Sequence, residues 1–316
     1  MDVLFLSGAD VEGLVDDRAL LDALAAGFAD VSAGRVTAPA RNQLATADGS
    51  ILLGMPGHRV DGDLAVKVVT LFEGNAGTAL PVHLAVMCLF DARTGACRAF
   101  MDGTYVTAVR TAGAAALATR LLARRDARVL TILGAGVQGE HHLRMLPLVR
   151  DFAEIRIASS HAEDAERVAA RDPRAVAVTD VEAAVRTSDV VALATNAAEP
   201  IVAPEWIAPG AHVSSVGYHP PGGELPPALL DRASLFVETR ASTFEPPPVG
   251  CAELQGLDPR RATELGEVVA GTSAGRADDA QITVYKAMGH VIEDIAAAEL
   301  AYAAAVRLGV GQTLRL

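Results

Sequence analysis

Hydrophobic and polar positions change rhythm along the chain. Leu20, Leu21, Leu24, Phe28 and Val31 recur at intervals of three and four, which predicts an amphipathic helix over Asp16–Ala33. Leu64–Leu71 is a β-like apolar run interrupted by Lys67. Val82–Phe90 and Ala96–Met101 predict two more strands, joined as a hairpin through Asp91–Gly95 with Gly in the loop. Gly103–Arg124 is Ala-rich and reads as a helix. The rhythm then becomes regular. Strands are expected at Val129–Leu133, Glu154–Ser159, Ala175–Val178, Val190–Thr195, His212–Val216 and Leu235–Glu238. Helices fall between them at Val137–Val149, Ala162–Arg171 and Val181–Thr187. Strands alternating with helices of this length imply right-handed crossovers and a parallel sheet. The ending differs: Gln281–Lys286 reads as extended and Gly289–Leu308 as a long Ala-rich helix. It has no place in the alternating series and is expected to pack back on the first third. The fold class is therefore α/β, a doubly wound parallel sheet inserted in a split α+β domain. The boundaries drawn are 1–113 plus 287–316 for the split domain and 114–286 for the insert.

Composition narrows the function classes. With 316 residues and 51% hydrophobic positions, the chain can bury a sizeable core. The 27 Lys+Arg against 39 Asp+Glu give a net charge of -12, the wrong sign for tracking nucleic-acid phosphates. No apolar run approaches the roughly 20 residues that a membrane span requires. Met1–Ser7 has no basic region and too short an apolar run for a signal peptide, so a cytoplasmic protein is expected. Cys88, Cys97 and Cys251 are odd in number and far apart, neither a disulfide framework nor a zinc cluster. His58, His83, His141, His142, His212 and His290 have no metal-ligand spacing, and no metal is expected.

The strand Val129–Leu133 runs directly into Gly134-Ala135-Gly136-Val137-Gln138-Gly139 and then a helix. In that context G-x-G-x-x-G is the Rossmann fingerprint. The first Gly permits the tight turn and the second lets backbone approach a pyrophosphate. The third lets helix and strand pack closely, with phosphates at the positive helix end. Gly134, Gly136, Val137 and Gln138 are the expected cofactor contacts. The second strand ends in Ser159-Ser160-His161, with no acid to hold a ribose 2′-hydroxyl. Two hydroxyls and a His suit a 2′-phosphate, with Arg167 a turn and a half further on. An NADP(H) site is favoured, with NAD(H) the alternative.

Three cations stand in improbable surroundings: Arg41 after Pro39, Lys67 inside an apolar strand, and Arg110 among Val109, Ala112, Gly113 and Ala114. Buried cations need partners, and a substrate carboxylate would supply one, most directly through the Arg fork. The bland readings are an edge-protecting Lys67, a solvated Arg41 and a snorkelling Arg110.

Pro39-Ala40-Arg41, Met55-Pro56, Lys67-Val68-Val69, Arg110-Thr111-Ala112, Gly134-Ala135-Gly136-Val137-Gln138, and Tyr285-Lys286-Ala287-Met288-Gly289 through Glu293-Asp294 occur in that order. Nearly the whole chain thereby resembles the ornithine cyclodeaminase and mu-crystallin family. The resemblance implies a homodimer, whose N-terminal substrate and dimerisation domain is completed by the C-terminal helix, and a Rossmann domain for NAD(H) or NADP(H). It implies that Arg41, Lys67 and Arg110 hold a substrate carboxylate near the nicotinamide, and that Thr111 lies by the cofactor phosphates. Thr195, Asn196, Val216, Gly217, Lys286 and Gly289 complete the expected cofactor set. Met55 and His219 are expected in the substrate pocket, and Lys67 and Tyr218 are the candidate proton carriers.

One departure changes the expected chemistry. Family cyclodeaminases carry an Asp after the fifth Rossmann strand, where Val216-Gly217-Tyr218-His219-Pro220 places Tyr218. A phenol, with an ordinary pKa of about 10, is a poor base at neutral pH. The expectation is a reductase of a small amino- or imino-acid partner, converting a ketimine such as Δ1-pyrroline-2-carboxylate to the L-amino acid. Its rivals are an ornithine cyclodeaminase, an alanine-type dehydrogenase, and a non-catalytic NADPH-holding protein of mu-crystallin type. On this reading Arg110→Met keeps the fold and loses turnover.

Overall fold

The computed structural model describes residues 1–316. In chain order, β1 (Asp2–Leu6), α1 (Gly8–Leu14), α2 (Asp17–Ser32), β2 (Val36–Thr37), β3 (Asn42–Ala45), β4 (Ile51–Arg59), β5 (Leu64–Leu71), β6 (His83–Phe90) and β7 (Cys97–Asp102) lead into α3 (Gly103–Leu122). Then follow β8 (Val129–Leu133), α4 (Val137–Met145), β9 (Glu154–Ala158), α5 (Ala162–Ala169), β10 (Ala175–Ala177), α6 (Val181–Arg186), β11 (Val190–Leu193) and β12 (His212–Ser215). The chain closes with β13 (Ala233–Val237), α7 (Arg240–Thr243), β14 (Ala262–Glu264), α8 (Leu265–Val269), β15 (Ile282–Lys286), α9 (Val291–Leu308) and β16 (Gln312–Arg315). Two compact units result, Met1–Arg110 with His290–Leu316, and Thr111–Gly289. No helix is long and apolar enough to cross a membrane.

The first unit is built on a sheet ordered β16-β1-β7-β6-β5-β4-β2, with β3 also on β4. Side chains alternate faces along a strand, so register fixes which residues meet. Met55 opposes Lys67 and Leu53 opposes Val69. Lys67 opposes Met87, Val69 opposes Ala85 and Leu71 opposes His83. One face therefore carries Leu53, Met55, Lys67, Val69, His83, Ala85 and Met87. Helix α9 lies close to this sheet: a Cβ on Gly57 would stand 2.5 Å from Val291 Cγ1. Asp16 caps α2 by accepting from the Ala19 amide. His290 caps α9 in a capping box with Glu293, and Gly309, at φ 67, ends it.

The second unit holds the sheet β10-β9-β8-β11-β12-β15-β13-β14, and every pairing in it is parallel. Its central strands read as continuous apolar runs because both faces are buried: every residue of β11 and β12 is buried.

The ending requires a correction. Strand β15 belongs to the parallel sheet, between β12 and β13. Only the chain from His290 onward folds with the first third. Ala287–Gly289, drawn from the sequence with the split domain, fold with the second unit, and so do Thr111–Gly113. Hydrogen bonds explain the former. The Ala287 amide donates to Ser215 O, and the Met288 and Gly289 amides both donate to Glu238 Oε1.

His142 and His212 are fully buried in the second unit, each with its Nε2 unpartnered. Burial holds His142 down to about 4 and His212 to about 3. Both folded values lie below the unfolded value near 6.5. Their contribution to stability is therefore present above pH 6.5 and lost as pH falls toward the folded values. We expect Tm to drop between pH 7 and pH 5, with each buried imidazole costing about 2 kcal/mol at pH 5. Calorimetry giving the same Tm at both pH values would refute this.

Candidate active site

In the first unit, the helix α3 starts against β6, with the Thr104 hydroxyl accepting from the Ala85 amide at 3.0 Å. Two turns later α3 delivers Arg110. Strand β5 delivers Lys67 and the first turn of α9 delivers Glu293 and Asp294. Lys67 Nζ donates to Asp294 Oδ1 at 2.8 Å, and Arg110 Nε donates to the same oxygen at 3.0 Å. Arg110 also donates to Glu293 Oε2 at 2.8 Å. The other oxygen of Glu293 accepts from the His290 amide at 2.6 Å, so one carboxylate caps α9 and orients the guanidinium. All four side chains are nearly or wholly buried.

This geometry overturns all the bland readings of Lys67 and Arg110. Strand β5 is interior, so Lys67 guards no edge. Arg110 does not snorkel, because its charge is matched inside the protein. Glu293 and Asp294 already pair these cations, so a substrate carboxylate would be an additional partner. Acids in the first turn of a helix are ordinary, so Glu293 and Asp294 carried no local signal of this pairing.

Electrostatics tighten the picture. Burial pulls the Lys67 ammonium down to about 8, opposed by Asp294 and aided by Arg110. Burial also works to raise Asp294, but the Arg110 and Lys67 charges overcome it and hold the carboxyl below its ordinary value. His83, on the face that carries Lys67, is held to about 4 by burial and then by Lys67 and Arg110. His290 is held to about 4 by burial, with Arg41 and Arg110 adding to the effect. Arg41 thus stands by the same cluster, just before β3. Both imidazoles are neutral at pH 7, and the pattern reading gave neither a role. Beside the charges lies a small apolar cluster of Leu53, Val69 and Ala85, flanked by Ile51 and Leu71. Met55 stands next to it in register, 7% exposed.

The second unit presents a dinucleotide cradle, and its residues fit the cofactor. Gly134, at φ 114, has no room for a Cβ beside Ala194 O, and a Cβ on Gly139 would collide with Gly134 O. Gly136 has no heavy atom near its Cβ position, and Val137, which opens α4, is 62% exposed. Tight packing on one side and open backbone at a helix N-terminus is the arrangement a pyrophosphate needs. The Gln138 carbonyl accepts from the His142 ring, turning that imidazole into the core. Ser159, Ser160 and His161 follow β9; Ser160 and His161 are exposed, and the Ser160 hydroxyl lies 3.1 Å from His161 Nδ1. Arg167 is bound to Glu140 and donates to Ala135 O. Thr111, the first residue of this unit, follows Arg110 on α3.

The loops after β11 and β12 are tied by one carboxylate. Glu224, wholly buried, accepts from Thr195 N and Thr195 Oγ1, both at 2.7 Å, from Gly217 N at 2.7 Å and from Ser215 Oγ at 2.9 Å. Thr195 and Gly217 are thereby fixed, and Val216 between the strand and Gly217 donates to Leu193 O. His219 Nδ1 lies 3.3 Å from Asn196 Oδ1, a second tie between the loops. Lys286 requires a correction, because its fully buried ammonium is committed to Ser215 Oγ, Gly217 O and Glu253 Oε1. It supports the loop from below instead of touching a cofactor. Tyr218 is half-buried, and its hydroxyl donates to Pro248 O at 3.2 Å, which braces the loop that carries it. Gly289 takes φ 75 at the end of the unit.

A profile of the ornithine cyclodeaminase/mu-crystallin family matches residues 1–308. Ketimine reductase mu-crystallin of Mus musculus is 37% identical over 306 residues, spanning 94% of this chain and 96% of that protein. The Thermococcus litoralis Δ1-pyrroline-2-carboxylate reductase, solved in complex with NADH and L-proline, superposes with a TM-score of 0.93 at 32% identity, over 99% of this chain and 100% of that one. An archaeal alanine dehydrogenase dimer with bound NAD superposes with a TM-score of 0.92 at 29% identity, over 100% of both chains.

Arg110→Met leaves two buried carboxylates short of their guanidinium. We expect it to destabilise the protein by about 3–5 kcal/mol in addition to abolishing turnover. Urea denaturation checks this, and a midpoint equal to wild type would show that the pairing carries no stability.

Proposed function

Because the chain belongs to the ornithine cyclodeaminase/mu-crystallin family, we propose that it reduces a cyclic or linear α-imino acid, such as Δ1-pyrroline-2-carboxylate, to the L-amino acid. It is an NAD(P)-dependent oxidoreductase acting on C–N bonds. The observation that carries the finer reading is the buried cluster of Lys67 and Arg110, with Arg41 beside it. Lys67 and Arg110 meet at Asp294, and a substrate carboxylate is the anion that such a pair of cations would bind.

The roles follow from the chemistry. Reduction of C=N requires hydride at carbon, a proton at nitrogen and a fixed substrate orientation. The reduced nicotinamide, when bound, supplies the hydride. Arg41 and Arg110 hold the substrate carboxylate, bidentate geometry being the natural use of a guanidinium. Lys67, poised at about 8, gives its proton to the imine nitrogen. Tyr218 is the weaker candidate because its hydroxyl is bound to Pro248. The Leu53–Val69–Ala85 surface suits an apolar substrate side chain. Glu224 has no capacity left to stand in for the cyclodeaminase Asp, since each of its oxygens already accepts two hydrogen bonds. NADP(H) is the preferred cofactor in this reading, on the strength of Ser159, Ser160 and His161 and the missing acid. The working form is a homodimer, by likeness to the alanine dehydrogenase dimer.

Two measurements test this. A panel of cyclic imino acids and of keto acids with amines, followed by NADPH absorbance, is expected to show steady cofactor consumption with at least one cyclic imino acid, and NADPH is expected to bind more tightly than NADH in fluorescence titrations. L-Ornithine with NAD is expected to yield neither ammonia nor proline. Stoichiometric release of both would make the protein a cyclodeaminase, and tighter NADH binding would overturn the NADP assignment.

A further inference from the structure

We propose that Asp294 is the positioning residue of the substrate site, the single carboxylate that holds Lys67 and Arg110 side by side and keeps both cations in place for substrate. Its kinetic consequences rest on the reductase reading; its structural and electrostatic basis does not. Asp294 is 0% exposed, and its Oδ1 accepts both from Lys67 Nζ at 2.8 Å and from Arg110 Nε at 3.0 Å. Its Oδ2 is buried without a hydrogen-bond partner. Every hydrogen bond that the Asp294 carboxylate accepts therefore comes from a cation of the proposed site. The side chain bonds no backbone group, whereas Glu293 divides itself between Arg110 and the α9 cap.

Two cations that share one oxygen repel each other at close range, and burial penalises both. The charged and titratable groups facing Lys67 are Asp294 and Glu293 from α9, Arg110 from α3 and His83 from β6. His83 is neutral at pH 7 and Arg110 works against the ammonium. Asp294 supplies the larger of the two favourable charges, the other being Glu293. Without the Asp294 charge, burial and Arg110 act together to remove the Lys67 proton. The site would lose a cation and its proton source at once. This also explains why an unpartnered carboxylate oxygen is tolerated in a core: the full negative charge, more than any one hydrogen bond, is what the pair of cations requires.

Lys67 and Lys286 are the only two lysines in the chain, and this makes the proposal directly readable. Protein labelled with [6-13C]lysine gives two side-chain resonances, and Lys286→Arg identifies the one from Lys67. In Asp294→Asn the Lys67 titration midpoint is expected to fall by about one pH unit or more, and the alkaline limb of kcat/KM to move down with it. The sign is fixed: a step that needs the ammonium is lost as pH rises through the Lys67 value, and the variant reaches that value sooner. Glu293→Gln is expected to shift the midpoint less. Asp294→Glu keeps the charge but moves it by one methylene, so the midpoint should stay near wild type while kcat/KM falls on the order of tenfold or more. A folded Asp294→Asn whose Lys67 midpoint is unchanged overturns the proposal. If Asp294→Asn does not fold, an Asp294→Glu enzyme with wild-type kcat/KM overturns it equally. Should the wild-type protein reduce no imino acid at all, the functional reading falls, and the lysine titration still decides whether Asp294 governs Lys67.

Discussion

A single buried carboxylate oxygen, Oδ1 of Asp294, joins residues that are 227 and 184 positions away along the chain. Lys67 comes from a strand of the first sheet, Arg110 from the helix that follows it, and Asp294 from the helix that returns after the whole second unit. Neither cation is tolerable in an apolar interior alone, and the carboxylate is no more tolerable without them. The three are stable only when β5, α3 and α9 are assembled together. The constraint that closes the split unit is therefore also the one that creates its reactive cluster, and stability and chemistry cannot be separated at these residues.

The second unit solves a different problem with different means. Its cradle depends on the absence of side chains: Gly134 and Gly139 are pressed against backbone oxygens where no Cβ fits, and open backbone at Gly136 leads into α4. The loops that follow β11 and β12 are held by Glu224 from one side and by Lys286 with Glu253 from the other. These charged groups lie beneath the loops and are fully used there. The backbone they fix is left to meet a cofactor, in keeping with recognition of a dinucleotide largely through backbone and helix termini.

The legible parts of the sequence were those with strong local signals. β8 and β5 were placed to the residue, because an apolar run ending in G-x-G-x-x-G and an eight-residue run rich in Val each admit few conformations. α2 was delimited by its periodicity, and the structure adds the Asp16 cap. Strands β1, β2, β3, β4, β14 and β16 went unread; β3 and β16 are exposed along their whole length, and β4, although nine residues long, is broken by Gly54, Pro56 and Gly57. β15 was read as extended but grouped with the tail, since nothing local says that a strand so late in the chain inserts between β12 and β13. At the site, Arg41, Lys67 and Arg110 were legible as misplaced charges. Their protein partners were not, because no local pattern links positions so far apart. The commitments of Tyr218 to Pro248 and of Lys286 to Glu253 were hidden for the same reason.

The distribution of carboxylates also bears on which family chemistry this chain can perform. Cyclodeamination needs a base that can reach the reacting nitrogens after oxidation, and a base must have an oxygen to spare. Around the loop that carries Tyr218, the buried acid Glu224 has both oxygens saturated by backbone and hydroxyl donors, and Glu253 is bound to Lys286 and Cys251. In the first unit, Glu293 is divided between Arg110 and the α9 cap, and Asp294 is held ionised by two cations on Oδ1, its Oδ2 buried without a hydrogen bond. Ammonium and guanidinium groups dominate what remains, and they suit binding a carboxylate and delivering a proton more than removing one. On the proposed reading, the Lys67 ammonium and the Arg110 guanidinium of the first unit bind a carboxylate and the ammonium delivers a proton, as reduction of C=N requires.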